Sequence, residues 1–177
     1  MNFFDLIGKR RSIRKYQNRP VEPEKVALIV EAALRAPSSR DLNPWEFIVV
    51  DDPKTIRELS RAKQHGSAFL QGAPLAVIVC ADPEKCDVWI EDAAIAAVYI
   101  SLAAEALGLG NCWIQIRERE HGAGKTAEEF VREVLRIPQS LKVESIIAIG
   151  YPDEEKPGHS REELQYEKIF VNRFGQK

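Results

Sequence analysis

Apolar positions along the chain change their spacing several times, and each change predicts an element. Phe3, Phe4, Leu6 and Ile7 share one side of a short helix over residues 2–9, with Asn2 placed to cap it. Val26, Ile29, Val30, Ala33 and Leu34 recur at helical spacing behind Pro23, a good first helical residue, and stop before Pro37. Residues 36–44 are a loop by composition, bounded by prolines and rich in side chains that bond backbone. Residues 45–50 read as a strand, and Asp52-Pro53 opens a helix through Ile56, Leu59 and Ala62. The unbroken apolar run 75–81 has strand length, so it predicts a strand buried on both faces. A long helix follows over residues 87–107 and ends at Gly108. Residues 111–116 form a third strand, 127–135 a helix, and 143–149 a fourth strand before Gly150.

Two segments are apolar beyond what one chain needs. Residues 93–109 carry a single charge, Glu105, and are Ala-rich. That is short of the ~20 residues a membrane span requires, so the expected element is a buried central helix whose alanines allow close approach, even across a subunit interface. The last stretch, 161–177, mixes charges with Tyr166, Ile169, Phe170, Val171 and Phe174. It is too short for its own core, and an extended tail packed on a partner subunit would bury these residues. Strands separated by helices indicate an α/β class, though not a regular βαβ series.

Composition narrows the function. With 177 residues the chain reads as one domain over 1–177, 45% apolar and 29% charged, with a net charge of −2. That balance argues against general nucleic-acid or membrane affinity. Cys80, Cys86 and Cys112 form no CxxC pair, and buried thiols in a reducing, cytoplasmic setting are expected. His65, His121 and His159 are isolated, and no metal-ligand or nucleophile–base spacing occurs. Gly124-Lys125-Thr126 imitates the end of a phosphate loop, but Arg119 stands where its first glycine belongs. Gly108-Leu109-Gly110 imitates a dinucleotide fingerprint, but it follows a helix and precedes a strand, the reverse of the required order. With no side chain equipped for covalent or metal catalysis, any catalysis falls to a cofactor.

One local concentration of charge stands out. Lys9 to Lys15 carries five positive charges in seven positions. Charge alone leaves a solvated turn, a nucleic-acid contact or a phosphate site open. Arg beside Ser is good phosphate chemistry, because a guanidinium donates two parallel hydrogen bonds and a hydroxyl adds a third donor. Aromatic platforms for stacking on bases are not interleaved with it.

Four stretches then converge in order and spacing: Arg10-Arg11-Ser12-Ile13-Arg14-Lys15-Tyr16; Ala36-Pro37-Ser38-Ser39 with Asn43-Pro44-Trp45; Gly108-Leu109-Gly110-Asn111-Cys112-Trp113-Ile114; and Ile149-Gly150-Tyr151-Pro152 with Arg161 beyond. Together they resemble the FMN-dependent nitroreductase family over nearly the whole chain. The resemblance implies an α+β nitroreductase-like fold, a small mixed sheet surrounded by helices. It also implies an intertwined homodimer with exchanged C-terminal tails and FMN in a cleft at the subunit interface. By that resemblance Arg10 and Ser12 hold the phosphate and ribityl chain with Arg11 nearby, Arg161 approaches the phosphate, and Arg14 sits at the pyrimidine edge. Pro37, Ser38, Ser39 and Asn43 come from the partner subunit. Trp113, Ile114 and Gln115 line one face of the ring, with a backbone N–H near Gln115 directed at N5. FMN carries the chemistry, so no side chain is assigned a catalytic role. Electrons pass from NADH or NADPH to a nitroaromatic, quinone or related acceptor by a ping-pong mechanism. Two alternatives keep the fold: another flavin chemistry, such as dehalogenation or dehydrogenation, and a flavin-binding redox sensor or store without turnover. Two departures are visible. Ile116 stands where some relatives have glycine, and the polar pair that some place before the second strand is not evident around residues 65–69.

Overall fold

The computed structural model describes residues 2–176. In chain order the elements are α1 (Phe3–Lys9), α2 (Pro23–Leu34), β1 (Trp45–Val50), α3 (Pro53–Leu59), β2 (Leu75–Ala81), α4 (Trp89–Ala106), β3 (Gly110–Gln115), β4 (Glu120–Gly122), β5 (Lys125–Thr126), α5 (Ala127–Leu135) and β6 (Lys142–Gly150), with short 3₁₀ turns between and after them. The Asn2 side chain accepts from the Asp5 N–H and Asp5 returns the bond, so α1 starts on a reciprocal cap. Asp52 and Thr126 cap α3 and α5, each accepting from the N–H three residues on, and only at Thr126 is the bond returned, by Glu129.

The unbroken apolar run, β2, and β6, apolar over residues 146–149, lie side by side at the centre of a four-stranded sheet ordered β1-β2-β6-β3. Every pair among these strands is antiparallel. The sheet is therefore not mixed, as the family resemblance had implied. Among the described residues a parallel neighbour exists only as one isolated bridge, Ser12 to Asn111, where the basic stretch touches the outer edge of β3. That contact is too short to extend the sheet. The class is α+β, because antiparallel neighbours do not require the regular crossovers of a βαβ series.

Period-two alternation splits the core between the two faces of the sheet. Leu75, Val77, Val79, Ile147 and Ile149 face α2 and α4, packing on Ile29, Ala33, Ala93, Ala97 and Ile100. Ile78, Cys80, Ile146 and Ala148 face α3 and α5, with Ile56, Leu59 and Val131. Cys80, Cys86 and Cys112 are all buried free thiols; burial pushes the Cys80 thiol up to about 12.

Three readings change. Helix α3 ends at Leu59, although Ala62 keeps its burial in the following turn. The β4–β5 hairpin has strands too short to carry a period, and positive-φ residues Ala123 and Gly124 form its turn. Helix α4 is not buried all round: Ala93, Ala96, Ala97, Ile100 and Ala104 are covered, whereas Ile95, Val98 and Tyr99 are exposed. The tail apolar residues Leu164, Tyr166, Ile169, Val171 and Phe174 are exposed too. No helix among the described residues is long and apolar enough to cross a membrane.

Candidate functional site

The basic stretch leaves α1 at Arg10 and runs extended across the C-terminal end of α4. Two apolar residues pin it. Ile13 and Tyr16 are buried in the core, and the Ile13 N–H donates to the Asn111 carbonyl at 2.9 Å. Gly110 is required beside them, since a Cβ there would lie 2.8 Å from the Ile13 side chain. The Tyr16 hydroxyl donates to the Ile13 carbonyl at 2.5 Å, and burial raises its pKa well above the ordinary phenol range. With Ile13 and Tyr16 turned inward, the charged side chains between and around them stay on the surface.

Those charged side chains divide. Arg10, Ser12 and Arg14 all act on Cys112 of β3: burial pushes that thiol up, while Arg14, Ser12, Lys156 and Arg10 pull it down. The Arg14 guanidinium also lies 5.7 Å from the Phe69 ring centroid. Lys63, which the sequence did not single out, flanks Cys112 as well, and burial followed by Arg119 lowers its pKa. Arg11 turns away and donates to the Pro157 carbonyl. Two further residues the sequence did not single out hold the backbone. Glu154 Oε1 accepts from the Arg14 N–H at 2.6 Å and the Lys15 N–H at 3.3 Å, and Lys156 Nζ donates to the Ser12 carbonyl at 2.8 Å.

β3 is an edge strand, and its outer side faces this cluster. The Asn111 carbonyl points outward to Ile13, while the Ile116 N–H points inward to the Glu144 carbonyl at 3.1 Å. Successive residues of a strand alternate in this respect, so the Trp113 and Gln115 N–H groups also point outward, away from β6. The two side chains are linked: Trp113 Nε1 donates to Gln115 Oε1 at 2.9 Å, and Gln115 Nε2 donates to the Arg117 carbonyl at 3.2 Å. Ile114 differs from expectation, because its side chain is buried in the core on the opposite face. Its N–H and carbonyl face β6 by the same alternation, so Ile114 offers no group at the outer edge. Ile116 is likewise consumed by the core, so its bulk is not at the edge strand's outer side.

The Pro37–Asn43 loop is ordered by its own polar groups. Ser38 Oγ donates to Asn43 Oδ1 at 2.9 Å and accepts from the Asn43 N–H at 3.0 Å. The Ser39 N–H donates to buried Asp92 at 2.9 Å, and the Cys86 thiol donates to the other oxygen of that carboxylate at 3.2 Å. Arg40, Asp41 and Asn43 all adopt positive φ, a strained arrangement that these contacts hold. The loop sits at the N-terminal end of α4. The basic stretch sits near Glu105, whose carboxyl is raised by burial and lowered by Arg10. Thirteen residues separate Asp92 from Glu105, roughly 20 Å along a helix. A single chain therefore does not bring the two groups of site residues together. Arg161 begins a 3₁₀ turn in the exposed tail, with no hydrogen bond or ion pair from its side chain to the basic stretch among the described residues.

The model of the Nitroreductase family matches residues 7–66 and 57–151. The chain belongs to that family. A solved FMN-dependent nitroreductase from Clostridium difficile is 50% identical, with a TM-score of 0.96 over 97% of this chain and 100% of its own. An Archaeoglobus fulgidus protein named as an NADH dehydrogenase/NAD(P)H nitroreductase is 38% identical over 155 residues, 85% of this chain and 86% of its length. A Bacillus subtilis FMN reductase [NAD(P)H] is 27% identical over 190 residues, 94% of this chain and 73% of its own. Family membership agrees with the antiparallel sheet, the basic stretch on its edge and the long helix behind it.

Proposed function

We propose that this nitroreductase-family protein is an FMN-dependent NAD(P)H oxidoreductase, working as a homodimer of single-domain subunits. The observation that carries the reading is the convergence of Arg10, Ser12 and Arg14 on the edge of β3 where the Trp113 and Gln115 N–H groups point outward. Cations and a hydroxyl suit a phosphate, and a free strand edge beside a guanidinium suits a flat heterocycle with acceptors on its rim. The residues present therefore fit FMN.

Arg10 and Ser12 hold the phosphate and ribityl chain, with Arg11 and Arg161 as outer cations. Arg14 would place positive charge beside the ring, which would favour its reduced, more negative state. The outward Gln115 N–H would orient the ring and Trp113 would shield one face, with Ile114 between them anchoring β3 in the core. Pro37, Ser38, Ser39 and Asn43 reach the site from the partner subunit. The separation along α4 supports that last assignment: two antiparallel α4 helices would set one chain's loop beside the other's basic stretch. Exposed Ile95, Val98 and Tyr99 supply the apolar face for such packing, and the exposed apolar tail supplies a wrap around the partner. The chemistry that FMN supplies when bound is two-electron transfer, from NADH or NADPH to a nitroaromatic, quinone or related small acceptor in ping-pong order.

Anaerobic titration tests the reading. Purified protein reconstituted with FMN is expected to be yellow and to bleach on adding NADH or NADPH. Double-reciprocal plots against an acceptor are expected to be parallel; intersecting lines would reject the ping-pong order. Arg10→Ala is expected to weaken FMN binding by ~1.5–3 kcal/mol, the scale of a charged hydrogen bond. A protein that takes up no FMN would overturn the proposal.

A further inference from the structure

The basic stretch would not keep its extended path by itself. Between Arg10 and Tyr16 it forms one bridge to β3, so most of its backbone donors and acceptors need partners from elsewhere. Those partners come from the segment after β6. Glu154 Oε1 accepts from two successive amides, Arg14 at 2.6 Å and Lys15 at 3.3 Å. Lys156 Nζ donates both to the Ser12 carbonyl at 2.8 Å and to Glu154 Oε1 at 2.9 Å. The two side chains thus close a ring of contacts around residues 12–15. Next to this ring the Asp153 N–H donates to the Lys15 carbonyl at 2.9 Å. Glu154 is only 17% exposed and Lys156 27% exposed.

Every contact the two side chains make to residues 12–15 is to main chain, so the clamp does not engage the side chains of Ser12 and Arg14. We infer that Glu154 and Lys156 are positioning residues, a carboxylate–ammonium clamp that fixes the backbone of residues 12–15 so that Ser12 and Arg14 are presented to an anionic cofactor. This rests on the cofactor reading above. The clamp lowers the entropy lost when cofactor binds, because the segment is already ordered. The carboxylate's own state supports it: the Arg14 N–H, then Lys156, hold Glu154 down to about 2, so it is charged throughout the working range. A neutral acceptor in its place would keep the amide contacts and lose the ion pair.

The test has two arms. In the first, hydrogen exchange is followed in the cofactor-free protein: Glu154→Ala is expected to speed exchange at the Arg14 and Lys15 amides at least tenfold, with other protected amides unchanged. In the second, FMN is titrated into each variant. Glu154→Ala and Lys156→Met are each expected to raise the FMN Kd about tenfold, whereas Glu154→Gln stays within threefold of the parent. With FMN saturating, kcat is expected to stay within twofold, since neither side chain touches the reacting groups. If Glu154→Ala does not fold, Lys156→Met carries the test. The inference is overturned if a folded alanine or methionine variant binds FMN within twofold of the parent, or if exchange at the two amides is unchanged. A parent that binds no FMN but shows the exchange difference would reject the cofactor reading and leave the clamp standing.

Discussion

Ile13 and Tyr16 turn a run of charge into a site. Without two buried anchors among Arg10, Arg11, Ser12, Arg14 and Lys15, the stretch would be a solvated turn, which is what its charge by itself suggests. The basic run was legible in the sequence; Glu154 was not. A glutamate in a loop of prolines and charges carries no signal until β6 delivers it to the Arg14 and Lys15 amides. Glu144 is a second residue that only the structure explains. Its side chain is buried, with one carboxylate oxygen lacking a partner. Burial raises its pKa, opposed by Ser145, Gln115 and Arg117. Its native pKa lies above the unfolded one, so its contribution to stability is fullest below the ordinary carboxylate range and is lost as pH rises through the native value. Glu144→Gln is therefore expected to raise the unfolding midpoint at pH 7–8 by roughly 2–4 °C, for a gain of about 1 kcal/mol. The gain should shrink toward zero as pH falls below about 4. Thermal melts of both proteins across that range decide it, and a pH-independent difference would reject the assignment.

Elements with a clear period or a strong cap were legible, and short ones were not. Helix α5 illustrates the first kind. Thr126 and Glu129 exchange bonds, with Thr126 Oγ1 accepting from the Glu129 N–H at 3.1 Å and Glu129 Oε2 accepting from the Thr126 N–H at 2.8 Å. Thr126→Ala removes half of this box and is expected to cost about 1 kcal/mol, read as a lower urea midpoint with unchanged slope. A loss below a few tenths would mean that packing of Val131 and Phe130 holds the helix without its cap. The hairpin just before α5 illustrates the second kind. Three residues of β4 and two of β5 cannot establish an alternation, and the charges of Arg117, Glu118, Arg119 and Glu120 hide them further. The direction of strand pairing was also beyond periodicity. The apolar run of β2 reports a strand buried on both faces, which holds for parallel and antiparallel neighbours alike.

At the scale of the whole molecule, the exposed side of α4, the apolar tail and the separation along α4 of the two groups of candidate site residues support the proposed homodimer. Val98 is 48% exposed in the single chain. Val98→Arg is expected to shift the protein from dimer to monomer in light scattering after size exclusion, and to lower FMN affinity by at least tenfold. A variant that stays dimeric, or a parent that is already monomeric, would remove α4 from the interface. The sequence alone determined the order of the principal elements, the buried strand at residues 75–81 and the basic stretch, because these follow from local spacing and composition. Tertiary structure decided the rest. It made the sheet antiparallel, sent Ile114 and Ile116 into the core, aimed the Trp113 and Gln115 N–H groups outward, and brought Glu154 and Lys156 to the backbone of residues 12–15. Each of these depends on contacts between residues far apart in the chain, and local spacing carries no record of which distant segment arrives at a given edge.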